Sequence, residues 1–434
     1  MAPASEQLPL QTKGIFRNLP TFPAELKDLT AIVTGANGIS GFHTMRVLLE
    51  SPQRWKKVWA ASRRPPPEEM MALLSEEQRA RVEHVACDFL SKPGEIASQL
   101  REKGVAADYV FFYSYAQPRP KPGAGAWSNA QELAETNYYP QEDALYKYCE
   151  DHSGTDWNII CPAWIIGAVN NAAMNALHPL AVYAAVQAHK GEPLNYPGDY
   201  TAWVAVTEHS SAMLTGYLSE WAVLGEKTKN QKFVALSCRV GKASAVFYLR
   251  EAEQCHGSEA GSQQRWLGED ELDLTFCREQ NASDTCPLPN NRLFPELARW
   301  YGCKGHGGPE LDESKLNTID PGEVPTPLGY GPSRKLRYAW TLSAWAQEPA
   351  NGQAWKEIME KHGVTHNPFD DIEAHFTFGD FAAWGPAFAL SMNKARYFGW
   401  TGHVDTLESL HLAYTELSKI GMLPPPVADA RPLI

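Results

Sequence analysis

Gly35, Gly38 and Gly41 stand at three-residue spacing between an apolar run and a helical pattern. The run is Ala31-Ile32-Val33; the pattern is Phe42-His43-Thr44-Met45-Arg46-Val47-Leu48-Leu49, with Met45, Leu48 and Leu49 on one helical face. This is the arrangement of a nucleotide-phosphate site. Gly35 allows the tight turn, Gly38 lets the backbone approach a pyrophosphate, and Gly41 lets the helix close on the strand. Asn37 and Ile39 complete the loop, and the N–H groups that open the helix face the anion. A glycine triplet alone says little; a strand before it and a helix after it give it meaning.

The elements that must position this turn follow in order. Lys57-Val58-Trp59-Ala60-Ala61 reads as a second strand ending in Ser62-Arg63-Arg64. That end meets the adenosine ribose of a bound dinucleotide, and two arginines with a serine there favour a 2′-phosphate, hence NADP(H) over NAD(H). Val82–Cys87 reads as a third strand, followed by Asp88 and Phe89 at the adenine rim, although Asp88 serves equally well as a plain helix cap. Residues 108–113 read as a fourth strand, apolar enough to be buried on both faces. Strand–helix alternation of this kind predicts an α/β fold, a Rossmann-type doubly wound parallel sheet.

Composition narrows the function classes. The chain has 434 residues, 44% of them hydrophobic and 11% aromatic, which is globular usage. A net charge of −12 argues against nucleic acid and against an anionic membrane surface. No window approaches a membrane-spanning length of apolar residues. The first ten residues lack a cationic start followed by an apolar stretch, and the eight cysteines lack CxxC spacing. Both features predict reduced thiols in a cytoplasmic protein. The histidines do not cluster, and Asp370-Asp371-Ile372-Glu373 matches no ligand spacing, so no metal site is expected.

After a Pro/Gly-rich stretch, Asn137-Tyr138-Tyr139-Pro140-Gln141-Glu142-Asp143 opens an amphipathic helix, and Trp157–Ile160 leads into Cys161-Pro162-Ala163-Trp164-Ile165-Ile166-Gly167. With the glycine turn, Ser62-Arg63-Arg64, Leu194-x-Tyr196-Pro197-Gly198 and Met392-Asn393-Lys394-x-Arg396, these stretches resemble the progesterone 5β-reductase and iridoid synthase family. That family comprises atypical extended short-chain dehydrogenase/reductases and includes fungal members. The resemblance covers residues 29–236 and 294–425, and its most specific part is Asn-Tyr-Tyr-x-x-Glu-Asp. It implies a catalytic tyrosine that maps best onto Tyr139, with Tyr138 beside it. It also implies that the backbone around Pro162 and Ile165 holds the nicotinamide carboxamide. The residues agree that a phenol at this helix start could hold a carbonyl oxygen and stabilise an enolate during reduction.

The resemblance has two faults. The family carries its catalytic lysine in a Thr-Gly-x-Lys-x-Tyr stretch that closes a fifth strand, and nothing between Tyr115 and Asn137 matches it. Lys121 and Lys147 are poor stand-ins, and the sheet is expected to lack an interior strand. Conversely, Ser237–Leu293 has little periodicity and holds Cys238, Cys255, Cys277 and Cys286. A missing block and an extra block in one chain point to a skipped coding stretch and a retained intron; a genuine lid insertion is the alternative.

The expected organisation is a lead-in over residues 1–28, an NADP-binding Rossmann domain over 29–168, and a substrate-binding region over 169–434. The last carries the remaining Rossmann elements and the irregular insertion 237–293. Trp203, Trp340, Trp345, Trp355 and Trp384 would suit a flat hydrophobic substrate or simply fill core. The expected activity is NADPH-dependent reduction of an enone C=C or a carbonyl of a small hydrophobic metabolite, in secondary metabolism. The alternatives are a catalytically impaired NADP(H)-binding remnant and an epimerase/dehydratase-type relative. The sequence leaves room for a homodimer.

Overall fold

A computed structural model describes residues 9–115, 138–170, 175–233, 246–250 (backbone only), 283–319, 335–385 and 391–432. The chain opens with a hairpin, β1 (Leu10–Lys13) and β2 (Phe16–Pro20), turning at Gly14 with φ +58°. β3 (Leu29–Thr34), helix α1 (Ile39–Leu49) and β4 (Trp55–Ser62) follow, then β5 (Val82–Ala86), α2 (Pro93–Glu102) and β6 (Tyr109–Phe112). Next come α3 (Tyr139–Asp151), β7 (Asp156–Ile160), β8 (Ile165–Ile166), α4 (His178–Lys190), β9 (Ser210–Ser211) and α5 (Ala212–Leu224). β10 (Gln231–Phe233) and β11 (Val246–Arg250) complete the main sheet. The C-terminal part holds α6 (Asn290–Tyr301), β12 (Asn317–Ile319), β13 (Leu336–Tyr338), α7 (Pro349–His362), α8 (Ile372–Trp384) and α9 (Thr406–Lys419).

Seven strands form one sheet in the order β10-β7-β11-β6-β3-β4-β5. All neighbours run parallel except at β11, which is antiparallel to both β6 and β7. From β3 the chain steps outward through β4 to β5, then returns to place β6 on the other side of β3. The order therefore reverses at the β3/β6 boundary, which is where open α/β sheets bind ligands at the C-terminal ends of their strands. Among the described residues no parallel strand stands between β6 and β7, the gap expected from the sequence, and β11 occupies that place. Val246 pairs with Ile160, and Phe247 pairs with Phe112 and Ile159. A segment of the irregular insertion thus supplies backbone partners to two strands that would otherwise be edges in mid-sheet.

Helix α1 lies against α5, and the two come close because of glycine. A Cβ on Gly216 would stand 3.0 Å from Val47 Cγ2 and 3.2 Å from the Thr44 Cα. The α5 carboxylate Glu220, buried, accepts from Trp55 Nε1 at 2.7 Å and from Arg54 Nη1 at 2.5 Å, which fixes the start of β4. Arg46 of α1 and Glu416 of α9 form a two-pronged ion pair at 2.6 and 2.7 Å, tying the dinucleotide-type half to the last helix.

Trp355 and Trp384 are buried in the core, and Trp203, Trp340 and Trp345 are partly buried against it. Trp355 is fully buried, Trp345 and Trp340 pack edge-on to Tyr183, Trp203 leans on Tyr196, and Trp384 stacks on Tyr338 at 4.4 Å. The acidic run at 370–373 is a helix start, with Asp371 Oδ1 accepting the Ala374 N–H at 3.1 Å. No helix among the described residues is long and apolar enough to cross a membrane.

Burial sets the acid response of this fold. Desolvation pushes His43 and His209 down to about 4, His178 down to about 3, and His366 down to about 4. His43 is held neutral: Nδ1 donates to the Ile39 carbonyl at 2.7 Å and Nε2 accepts the Ala168 N–H at 3.3 Å. Below pH 6.5 the unfolded chain protonates these rings while the native chain does not, so each removes about 1.4 kcal/mol per pH unit down to about its folded value. Burial of Asp284 and Asp380, pushed up to about 8 and about 6, acts in the opposite direction, Asp284 over the whole of this range and Asp380 below about pH 6. Four histidines outweigh two carboxylates. The unfolding midpoint is expected to fall steadily from pH 6.5 to pH 4 in a thermal titration, and a flat profile would contradict the buried neutral rings.

Candidate functional site

The glycine turn has the shape its sequence predicts. Gly35 has φ +60°, in the left-handed region, and a Cβ there would stand 2.9 Å from the Tyr113 carbonyl oxygen at the end of β6. Only glycine allows β3 to pass this close to β6 at the switch point. Gly38 donates to the Gly35 carbonyl at 2.8 Å and forms the N-cap of α1 without a side-chain cap. The first amides of an eleven-residue helix are thus left without side-chain partners at the C-terminal edge of the sheet. A Cβ on Gly41 would overlap the Gly35 carbonyl, 2.8 Å from its carbon, so Gly41 fixes the approach of helix to strand.

Asn37 joins this turn to the end of β4. Its Nδ2 donates to the Arg64 carbonyl at 2.9 Å, and its Oδ1 accepts from Ser62 Oγ at 3.2 Å. Ser62 Oγ also reaches the Arg64 carbonyl at 2.7 Å, so Ser62 shapes the Arg63-Arg64 bend. Both arginine side chains are exposed there. Asp88 Oδ1 accepts the Leu90 N–H at 3.1 Å, a local turn beyond β5. Phe89 packs edge-on to Phe112 at 5.5 Å, beside the Trp59 and Val85 cluster. Gly35, Asn37, Gly38, Ser62, Arg63, Arg64, Asp88 and Phe89 therefore share one edge, at the ends of β3, β4 and β5.

The Pro162–Gly167 stretch lies against α1. Gly167 has no room for a side chain: a Cβ would stand 2.8 Å from His43 Cε1 and 2.9 Å from Ile39 Cγ1. Pro162 is buried; Ile165 lies in β8, parallel to Ser210 of β9, and the Ala163 N–H donates to Ser210 Oγ at 3.0 Å. Trp164 adopts φ +28°, a strained backbone for a bulky residue, and its ring meets Phe378 of α8 at 6.2 Å.

The two tyrosines part company. Tyr138 is buried among Leu145, Ile159 and Cys161, its ring 6.3 Å from that of Tyr115 just past β6. Tyr139 is 55% exposed at the first position of α3. Gln141 Nε2 reaches the Ser114 carbonyl at 3.4 Å, which places the α3 start beside the β6 end and so beside Gly35. Asn137 and Lys121 lie outside the described residues. Lys147 pairs with Asp151 at 3.1 Å on the outer side of α3, with 77% of its side chain exposed, so it does not serve the phenols.

Sequence reasoning missed the partner of Glu142. Lys232 of β10 places its ammonium 2.5 Å from Glu142 Oε2, and Lys394 Nζ donates to the Lys232 carbonyl at 2.7 Å. Lys232 stands in a polar run, Lys229-Asn230-Gln231-Lys232, that reads as a surface turn. Only the β10–β7 pairing brings it to α3.

No family model matches the chain. The short chain dehydrogenase gsfE of Penicillium aethiopicum is 23% identical over 426 residues, 91% of this chain and 99% of that protein. The (S)-8-oxocitronellyl enol synthase CYC2 of Camptotheca acuminata is 35% identical over 63% of this chain, which spans 51% of that enzyme. The 3-oxo-Delta(4,5)-steroid 5-beta-reductase of Arabidopsis thaliana is 35% identical over 96 residues, a quarter of its length. Among solved structures, the Bordetella bronchiseptica enzyme WbmF in complex with NADH gives a TM-score of 0.37 at 11% identity, over 65% of this chain and 80% of that one. That likeness is too loose to carry an argument. The chain is thus similar over most of its length to a fungal short chain dehydrogenase, and over parts of its length to an (S)-8-oxocitronellyl enol synthase and a steroid 5-beta-reductase.

Proposed function

We propose that the chain is an NADPH-dependent reductase acting on the activated C=C of an enone, or on a carbonyl, of a small hydrophobic metabolite in secondary metabolism. The observation that carries this reading is the joined edge. The uncapped start of α1, the Gly35 and Gly38 approach, and the Asn37 tie to Ser62-Arg63-Arg64 form one continuous surface for a phosphorylated dinucleotide. The residues fit such a cofactor, because side chains at Gly35 and Gly41 would meet backbone where the pyrophosphate turn has to close. When bound, the cofactor supplies hydride. The chain's part is to hold the 2′-phosphate with Arg63 and Arg64, place the nicotinamide end near Pro162 and Ile165, and hold the substrate oxygen with Tyr139. The enol synthase and 5-beta-reductase relatives support an enone as the substrate class.

The test is thermal unfolding with NADPH, with NADH as control. A hundredfold excess over the dissociation constant is expected to stabilise by about 2.7 kcal/mol. Replacing both Arg63 and Arg64 by alanine is expected to weaken NADPH about 10- to 100-fold while leaving NADH nearly unchanged, since a hydrogen bond to a charged group contributes about 1.5–3 kcal/mol. Equal shifts with the two dinucleotides would remove the 2′-phosphate assignment.

One observation favours a second reading. The Thr-Gly-x-Lys-x-Tyr stretch is absent from the sequence, and antiparallel β11 takes the place of the strand it would close. A protein that binds NADP(H) without turnover follows if a panel of enones and ketones shows stabilisation by NADPH but no oxidation of it.

A further inference from the structure

Three positions far apart in the chain meet at the sheet-facing side of α3. Glu142 is the acidic residue in the first turn of α3, its side chain 13% exposed, four residues after Tyr138 and three after Tyr139. Residues at that spacing lie on one helical face, about 5–6 Å apart at Cβ. Lys232 closes on Glu142 from β10, and Tyr146 Oη, a turn further along α3, donates to the same carboxylate oxygen at 3.4 Å. Lys394, from the short helix Asn393–Tyr397, holds the Lys232 backbone in turn. Among the described residues β10 is a three-residue strand at the sheet edge, paired with β7. The Lys232–Glu142 tie joins this edge to α3.

The start of α3 is weakly held by its own sequence. Tyr138 stands at the N-cap without a side-chain cap, and Pro140 lacks an N–H. A partly buried carboxylate in that first turn is compatible with the helix dipole but needs a cation once it leaves water. Lys232 supplies that cation. We propose that Lys232 is a positioning residue for the reaction: through Glu142 it pins the first turn of α3, and hence the phenols of Tyr138 and Tyr139, in a chain whose sequence lacks the Thr-Gly-x-Lys-x-Tyr stretch. The proposal rests on the reductase reading for its catalytic consequence, but its structural core is independent of that reading.

The test is a double-variant cycle on the full chain, Lys232→Met, Glu142→Gln and both together, with Lys232→Arg as the conservative variant. Two readouts are needed: kcat and KM for an enone with NADPH, and hydrogen exchange of the amides at 139–145. Each single variant is expected to lower kcat about tenfold with KM for NADPH changed less than twofold, and to speed exchange of the first turn at least fivefold. The double variant should be no worse than either single one, because both break the same tie. Lys232→Arg should keep most of both. Additive losses, or unchanged first-turn exchange in Lys232→Met, would overturn the proposal. A wild-type chain without turnover but with the expected exchange pattern would sink the reductase reading and leave the tie standing. Normal turnover with no response to Lys232→Met would do the reverse.

Discussion

Gly41→Ala is expected to abolish stabilisation by NADPH and to lower the stability of the free chain by several kcal/mol. The added methyl has nowhere to go: it would overlap the Gly35 carbonyl, sit 2.8 Å from the Gly35 carbon and 3.0 Å from the Thr34 oxygen. These are backbone atoms, which cannot swing aside as the tip of a side chain would. Overpacking in a well-filled interior costs about 1–3 kcal/mol, and more where the obstacle is main chain. Relief would require α1 to move away from β3, which widens the turn and draws the helix N–H groups from the anion. Gly94→Ala is the matched control, because a Cβ there meets nothing within 4 Å in the first turn of α2. It should be neutral or stabilise by up to about 1 kcal/mol. Thermal unfolding of both variants with and without NADPH checks the pair, and a Gly41→Ala chain that still responds to NADPH would mean that the dinucleotide binds elsewhere.

The second large effect concerns the phenols. Tyr139→Phe is expected to lower kcat about 100- to 1000-fold while leaving the NADPH-induced shift intact, since removing one donor to a developing oxyanion costs about 2.7–4 kcal/mol. Tyr139 is more than half exposed, whereas Tyr138 is buried against Leu145 and Ile159. Tyr138→Phe is therefore expected to change kcat by less than tenfold. Steady-state kinetics of the two variants decides between them, and the reverse ranking would transfer the role to Tyr138.

What could be read from the sequence follows physical range. The glycine turn, the Ser62-Arg63-Arg64 end and strands β3 to β7 are local patterns, and the structure places all of them within two residues of their expected positions. The N-terminal hairpin was legible only as a polar lead-in, because Gln11-Thr12-Lys13 and Arg17-Asn18 break the apolar alternation; only Phe16 and Leu19 reach the core. The missing interior strand was legible as a gap, but its replacement was not, since β11 pairs with residues about 90 to 140 positions earlier. Lys232 failed for the same reason: its partner is set by sheet order. Each of the five tryptophans reads more readily as core than as pocket; Trp355 and Trp384 are buried, and Trp203, Trp340 and Trp345 pack partly buried against the core.

The late arrival of β11 bears on how the protein is made. On the ribosome, β6 and β7 emerge with their facing edges unmatched, and Arg250 follows Ile160 by 90 residues. At about 5–20 residues per second, that gap lasts roughly 5–20 s, during which two apolar strands offer open hydrogen-bonding edges to any neighbouring nascent chain. A chaperone that shields such edges during translation should raise the soluble yield more than one added after release. Truncation before Val246 should yield insoluble product even though the whole glycine turn is present.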